Sequence, residues 1–156
     1  MPYIKSEDRP SKDIVVTALI DNGVDAQGIQ KILIAYCKKY IKTSYNAIKN
    51  YNGELVEASE EMYRRRDYLL SSCKVGLDCV KITDQTISLL IDKMHECDVK
   101  ADGDLNYILF KYCKDAMETP EQVSSLSWYI ARTSHIIRQE ILGAYEDGKI
   151  IENGDV

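Results

Sequence analysis

Residues 32–43 read ILIAYCKKYIKT and residues 108–119 read ILFKYCKDAMET. The two stretches align without a gap, sharing an apolar pair, a Tyr-Cys-Lys and a closing threonine. In and around each, apolar residues recur at the spacing of three and four that lays a stripe along one side of a helix. The first stripe is Ile29, Ile32, Leu33, Tyr36, Cys37 and Tyr40; the second is Leu105, Ile108, Leu109, Tyr112, Cys113 and Ala116.

Working outward, each stripe has a shorter helical pattern before it and a longer one after it. Val15, Ala18 and Leu19 mark a first helix with Ser11 as its N-cap. Thr83 caps a later helix carrying Ile87, Leu90, Ile91 and Met94. "ALID" at 18–21 aligns with "LLID" at 89–92 if the second copy holds a few extra residues between its first two helices. A third helix starts near Ser44 and carries Ile48, Tyr51, Leu55, Ala58, Met62 and Leu69. Its counterpart opens on "TPEQ" at 119–122, with Thr119 as cap, Pro120 in the first turn and Gln122 closing a capping box. Val123, Leu126, Ile130, Ile137 and Ile141 continue it.

The expected fold is therefore all-α: a three-helix unit, duplicated and packed on itself as a pseudo-symmetric helical bundle, with short extended arms at both ends. Each unit alone is too small to bury much core. The boundaries are an N-terminal arm at 1–10, repeat 1 at 11–70, a connection at 71–83, repeat 2 at 84–143 and a tail at 144–156. The connection "SSCKVGLDCVKI" contains Gly76. The tail carries turn signals at Asp147-Gly148 and Asn153-Gly154, and is expected to pair in extended form with the N-terminal "PYI".

A chain of 156 residues with net charge -5 does not suit broad binding to nucleic acid, which needs a basic face. No apolar run reaches membrane-spanning length. The start, MPYIKSEDRP, lacks the apolar core of a signal peptide and has no glycine at position 2 for myristoylation. A cytoplasmic protein is expected. The cysteines number five, an odd count at spacings that fit no zinc pattern, so reduced thiols are expected and no metal or cofactor. Tyrosine is over-used, 11 against one Phe and one Trp, which favours half-wet interfaces and ligand pockets.

Both chain ends, "MPYIKSEDR" and "AYEDGKIIENGDV", resemble those of a small protein family found in bacteria and their phages, whose shorter members look like single copies of the three-helix unit. The family pattern adds two internal marks, G-E-L-N-Y opening the second helix and Y-R-R ending the third. This chain keeps Tyr63, Arg64 and Arg65 in its first half but reads "GIQKI" (28–32) where L-N-Y is due. The second half keeps Leu105, Asn106 and Tyr107 but reads "RQE" (138–140) in place of Y-R-R. The resemblance implies a setting in a bacterial host, phage-borne, rather than an activity. If the short relatives are dimers, one composite site survives here, built from the marks of opposite halves.

The composite would centre on "EMYRRRDYLL" (61–70). At about 100° per residue, Arg66 returns to the side of Leu55 and Met62, Arg65 lies on its flank and Arg64 points away. An arginine on the apolar side needs a partner or an escape to water. Three readings stand open for it: release at the helix end, pairing with a carboxylate of the other copy, or an anionic ligand. Guanidinium forks suit phosphate and tyrosine rings stack on bases. Tyr63, Arg65, Arg66 and Tyr68 from one copy, with Asn106 and Tyr107 from the other, are thus the expected ligand-binding set, for a small anionic, nucleotide-like ligand.

A second group, Trp128, Arg132 and His135, shares a helix face opposite Ile130 and Ile137 and reads either as an interface or as a packed face. No nucleophile accompanies His135, and there is no P-loop, no dinucleotide-binding glycine pattern and no H-E-x-x-H. Expected function is therefore non-catalytic: sequestration of a phosphate-bearing ligand, a nucleotide signal of host defence. The alternative is an antagonist or adaptor that binds a host protein, and a homo-oligomer is compatible with both.

Overall fold

The computed structural model describes residues 4–67, 69, 81–101 and 103–154. Among these the chain is helical, without strands. A 3-10 turn at Ser6–Asp8 leads into α1 (Arg9–Asp21), followed by α2 (Ala26–Tyr36) and α3 (Tyr45–Arg64). After the connection come α4 (Asp84–Glu96), α5 (Gly103–Ala116), α6 (Pro120–Ile137) and α7 (Gly143–Asn153). A π-helical turn extends α2 over Cys37–Ile41, and another at Arg138–Leu142 joins α6 to α7.

Local chemistry accounts for most of the starts. The Asp25 carboxylate accepts the Gly28 N–H at 2.7 Å, Ser44 accepts the Ala47 N–H at 3.1 Å and Thr83 the Thr86 N–H at 3.2 Å. Thr119 and Gln122 form the full capping box, each bond satisfying an amide that the helix leaves open.

Two expectations fail at the ends. The first helix starts at Arg9 rather than after a Ser11 cap, and the Ser11 hydroxyl donates back to the Asp8 carbonyl at 3.1 Å. Pro10 in the first turn has its φ already set and lacks the N–H that would go unbonded there, so the helix begins around it. The described part of the tail is not extended either. Because α6 runs on through its π turn, the chain reaches the tail already helical, and propagation is far easier than nucleation. Asp147-Gly148 lies inside α7. The second turn signal does act: Gly154, at φ 72°, ends the helix. On the other side, "PYI" lies mostly outside the described residues. Helix α3 also stops at Arg64, short of Leu69, which is buried all the same.

The buried positions of the two halves fall in the same register. On α3 these are Ile48, Tyr51, Asn52, Leu55, Ala58, Ser59 and Met62; on α6, at the same intervals, Val123, Leu126, Ser127, Ile130, Thr133, Ser134 and Ile137. Tyr36 and Cys37 of the first stripe match Tyr112 and Cys113 of the second, all buried. Helices α1 and α4 end in the same turn. Asn22, Gly23 and Val24 donate to Ala18, Ile20 and Leu19, and Cys97, Asp98 and Val99 donate to Lys93, His95 and Met94. The residue in left-handed conformation is Gly23 (φ 65°) in one and Asp98 (φ 54°) in the other. This equates Leu19 with Met94, one helical turn away from the alignment of "ALID" with "LLID". Three identical letters were a weaker guide than the turn.

Reciprocal hydrogen bonds cross between the halves. The Tyr36 hydroxyl donates to the Val99 carbonyl at 2.7 Å, and the Tyr112 hydroxyl donates to the Val24 carbonyl. The π turn after Cys37 has a simple cause. One residue more separates Cys37 from the cap Ser44 than separates Cys113 from the cap Thr119, and a π turn absorbs a single inserted residue. There Lys39 pairs with Asp92 at 2.8 Å, the Tyr40 hydroxyl donates to Asp92, and the Tyr40 ring stacks on His95 at 4.0 Å.

Packing runs almost wholly between halves rather than within them. The main seam joins α3 to α6; α2 packs on α6 and α4, α5 on α1 and α3, and α1 on α4. Within a half, the notable contact between elements not contiguous in the chain is that of the first π turn with α3. Lys12 of α1 is buried and donates to the Cys97 carbonyl at the end of α4 at 2.6 Å, with Asp104 3.6 Å away. A cation there completes open carbonyls of the last turn. Neither half thus owns a core: the helix seams that bury its Leu and Ile side chains, each worth about 1.5–3 kcal/mol, run chiefly from one half to the other.

Candidate functional site

At the end of α3 this interlocking sets a basic cleft. It is lined by Arg9 of α1, by Arg65 and Leu69 at and beyond the end of α3, and by Tyr107, Phe110, Lys111 and Lys114 of α5, around a volume of about 210 Å³. The α5 residues follow the three- and four-residue spacing of one helix face, beside the face that buries Ile108, Leu109 and Tyr112. The cleft is built from both halves of the chain.

Its cations fall into two kinds. Arg65 is held by Glu61 at 3.2 Å and Lys111 by Asp115 at 3.0 Å, each one turn away on its own helix. Arg9 and Lys114 have no carboxylate within ion-pair distance among the described residues; the Arg9 guanidinium lies 5.9 Å from the centre of the Tyr107 ring. The Tyr107 hydroxyl donates to Asp13 at 2.7 Å. Burial, and then this bond to Asp13, push its pKa up to about 12, so the ring stays a neutral phenol and leaves the local positive field intact. Paired cations are pre-positioned, and unpaired ones leave charge for an anion to meet.

Of the six residues expected to bind ligand, the structure brings Arg65 and Tyr107 together. Arg66 does not join them. Because α3 ends before it, its guanidinium turns back, donates to the Tyr63 carbonyl at 2.8 Å and lies over the Tyr63 ring at 4.2 Å. Release at the helix end is the reading that holds. Tyr63 is half exposed on the outside, and Tyr68 lies outside the described residues. Asn106 neighbours Tyr107 but is not among the cleft's lining residues; its side-chain oxygen is buried without a partner. Sequence reasoning missed Arg9, Lys111 and Lys114. The two lysines carried a signal, Tyr107-Lys111-Lys114 on one helix face, whereas Arg9 sat in what read as an arm.

Trp128 is 60 % exposed and meets the Tyr129 ring edge-on at 5.0 Å. Arg132 and His135 are exposed on the same helix, while Ile130 and Ile137 are buried. Cys37 and Cys113 are buried, and burial raises the Cys37 thiol to about 11; Cys73 and Cys79 lie outside the described residues. Among the described residues no three of His, Cys, Asp and Glu converge as metal ligands, and no helix is long and apolar enough to cross a membrane.

Residues 1–69 match the family model of a domain of unknown function (DUF6899). The match spans α1 to α3 and ends at Leu69, on the wall of the cleft. No curated protein and no solved structure matches the chain.

Proposed function

We propose that this protein is a non-catalytic binding protein that captures a small phosphate-bearing ligand in the cleft of Arg9, Arg65, Tyr107, Lys111 and Lys114. One observation carries the reading: four cations gather around one cleft, two of them without a carboxylate partner among the described residues, in a chain of net charge -5. Guanidinium and ammonium donors at one point suit phosphate oxygens. A volume of about 210 Å³ falls below the ~300–1,000 Å³ usual for pockets that enclose a whole small ligand. The cleft grips the phosphate end, and the remainder of a nucleotide lies along the surface. The family resemblance supports a setting in a phage-infected bacterial cytoplasm, where the ligand would be a nucleotide signal of host defence.

The composite origin of the cleft fits an internally duplicated unit. Matched buried registers, identical α1 and α4 end turns and the reciprocal Tyr36 and Tyr112 bonds support duplication.

Native mass spectrometry and calorimetry with linear and cyclic nucleotides test the proposal. A retained ligand, released unchanged on denaturation and lost in the Arg9→Ala/Lys114→Ala double variant, supports capture. Chemically altered ligand supports an enzyme instead. Binding by no nucleotide leaves the second reading, in which exposed Trp128, with Arg132 and His135, docks a host protein. Trp128→Ala would then abolish co-purification of that protein.

A further inference from the structure

The outer faces of α3 and α6 differ at one matched position in a way that makes them fit each other. The buried register pairs Ile48 with Val123 and Met62 with Ile137, and so pairs Gly53 with Trp128. Gly53 is exposed, and a Cβ added there would meet nothing within 4 Å. Glycine weakens the interior of a helix, and no packing within the chain asks for it here. Two surface recesses, of about 480 and 570 Å³, open on the flanks of α3, and Lys49, Gly53 and Glu57 line both. The outer surface of α3 is thus a groove that crosses the helix, with bare backbone at its floor.

Helix α6 carries the converse shape. Trp128 stands 60 % exposed at the matched position, braced edge-on by Tyr129 at 5.0 Å. A large aromatic held in one orientation is the kind of side chain that anchors an interface. The charges beside it complement those of the groove. Glu57 and Glu60 follow Gly53 by four and seven residues, as Arg132 and His135 follow Trp128. All four are exposed, and none makes an ion pair among the described residues. Laid parallel to α3 with Trp128 over Gly53, α6 of another copy sets Arg132 against Glu57, the His135 ring against Glu60 and Ser124 against Lys49. Laid antiparallel, it would set Arg132 against Lys49, like against like. The two faces lie on opposite sides of the molecule, because α3 and α6 turn their inner faces to each other in the main seam. One copy cannot bring its own pair together.

We infer that Trp128 of one copy docks in the groove over Gly53 of the next, so that the protein associates with itself head to tail. Such a contact leaves a free groove at one end of the assembly and a free tryptophan at the other, and copies add until the geometry closes or an end is capped. None of the residues lining the basic cleft belongs to either face, so the two readings stand or fall separately.

Sedimentation velocity from micromolar to millimolar concentration tests this. The average mass of the wild type is expected to rise with concentration past that of a dimer. Trp128→Ala and Gly53→Leu each weaken self-association at least tenfold. Both keep the helical circular dichroism of the wild type, since one trims an exposed side chain and the other puts a good helix former into open space. Mixed in equal amounts, the two variants form one-to-one pairs and nothing larger, because Trp128→Ala still offers its groove and Gly53→Leu still offers its tryptophan. The inference is overturned if the wild type stays monomeric or stops at a dimer, if either variant associates as well as the wild type, or if the mixture forms no pairs. A different protein that binds the monomeric wild type and not Trp128→Ala would give the tryptophan another occupant, and would overturn it too.

Discussion

The cleft on the α5 side of the molecule has a counterpart related by the matched register, and the two differ in almost every side chain. Where the cleft has Arg9, Arg65, Tyr107, Lys111 and Lys114, the matched positions hold Asp84, Glu140, Lys31, Ala35 and Lys38. Beneath both, the buried residues keep the same intervals and apolar character, Leu55 facing Ile130 in role and Met62 facing Ile137. Interior positions are constrained by close packing, in which a changed volume is felt at once. Surface charges answer to partners alone, and here one face is basic and the other mixed.

The largest expected effect tests the sameness of the interior. Leu55→Ala and Ile130→Ala should each destabilise the protein by about 2–5 kcal/mol, read from urea unfolding. Unfolding should stay a single transition in both variants, because each residue supports both halves. Two separable transitions would break the picture of a shared core.

Next come the reciprocal tyrosines. Tyr36→Phe and Tyr112→Phe each leave a buried carbonyl unpaired, at a cost of about 1–3 kcal/mol. The pKa of Tyr36 is raised to about 12, by burial first and then by the charge of Asp98. Its folded-state pKa lies above the ordinary value near 10, so its contribution is intact below pH 10 and is lost as pH rises towards 12. Alkaline unfolding followed at the tyrosinate absorbance should show this loss in the wild type and not in Tyr36→Phe.

A smaller effect distinguishes the two faces. Lys114→Ala should weaken phosphate-ligand affinity about 5- to 10-fold, the removal of one charge-assisted contact of roughly 1 kcal/mol. The matched substitution, Lys38→Ala, should leave affinity unchanged. Equal losses would mean that general charge attracts the ligand, with no site. Smallest of all, Asp98→Gly should stabilise by up to about 1 kcal/mol, since glycine adopts positive φ without strain. Gly23 already holds the matched turn, and differential scanning calorimetry resolves the shift.

Most of the helices were legible because their signals are local: the caps Ser44, Thr83 and Thr119 and the stripes of α2 and α5 are written within a few residues. The register of α1 against α4 was not, because the matching turns depend on backbone geometry at Gly23 and Asp98 and not on shared letters. Two of the cleft's seven lining residues could be read. Arg65 and Tyr107 were expected together from the family marks, which the structure unites across halves. Arg66 stayed open among three readings because helical projection assumes a helix, and α3 has already ended at Arg64. Arg9 was invisible for a tertiary reason: only the packing of α1 on α5 brings it to Tyr107.

The interlocking of the halves reaches back to synthesis. As the chain leaves the ribosome, α1, α2 and α3 emerge first, with the surfaces meant for α4, α5 and α6 still uncovered. At elongation rates of about 5–20 residues per second, that surface waits seconds for its intended cover. Another nascent chain on the same message carries the same uncovered helices at the same moment. The length and ease of the connection between α3 and α4 therefore decide whether a chain closes on itself or on its neighbour.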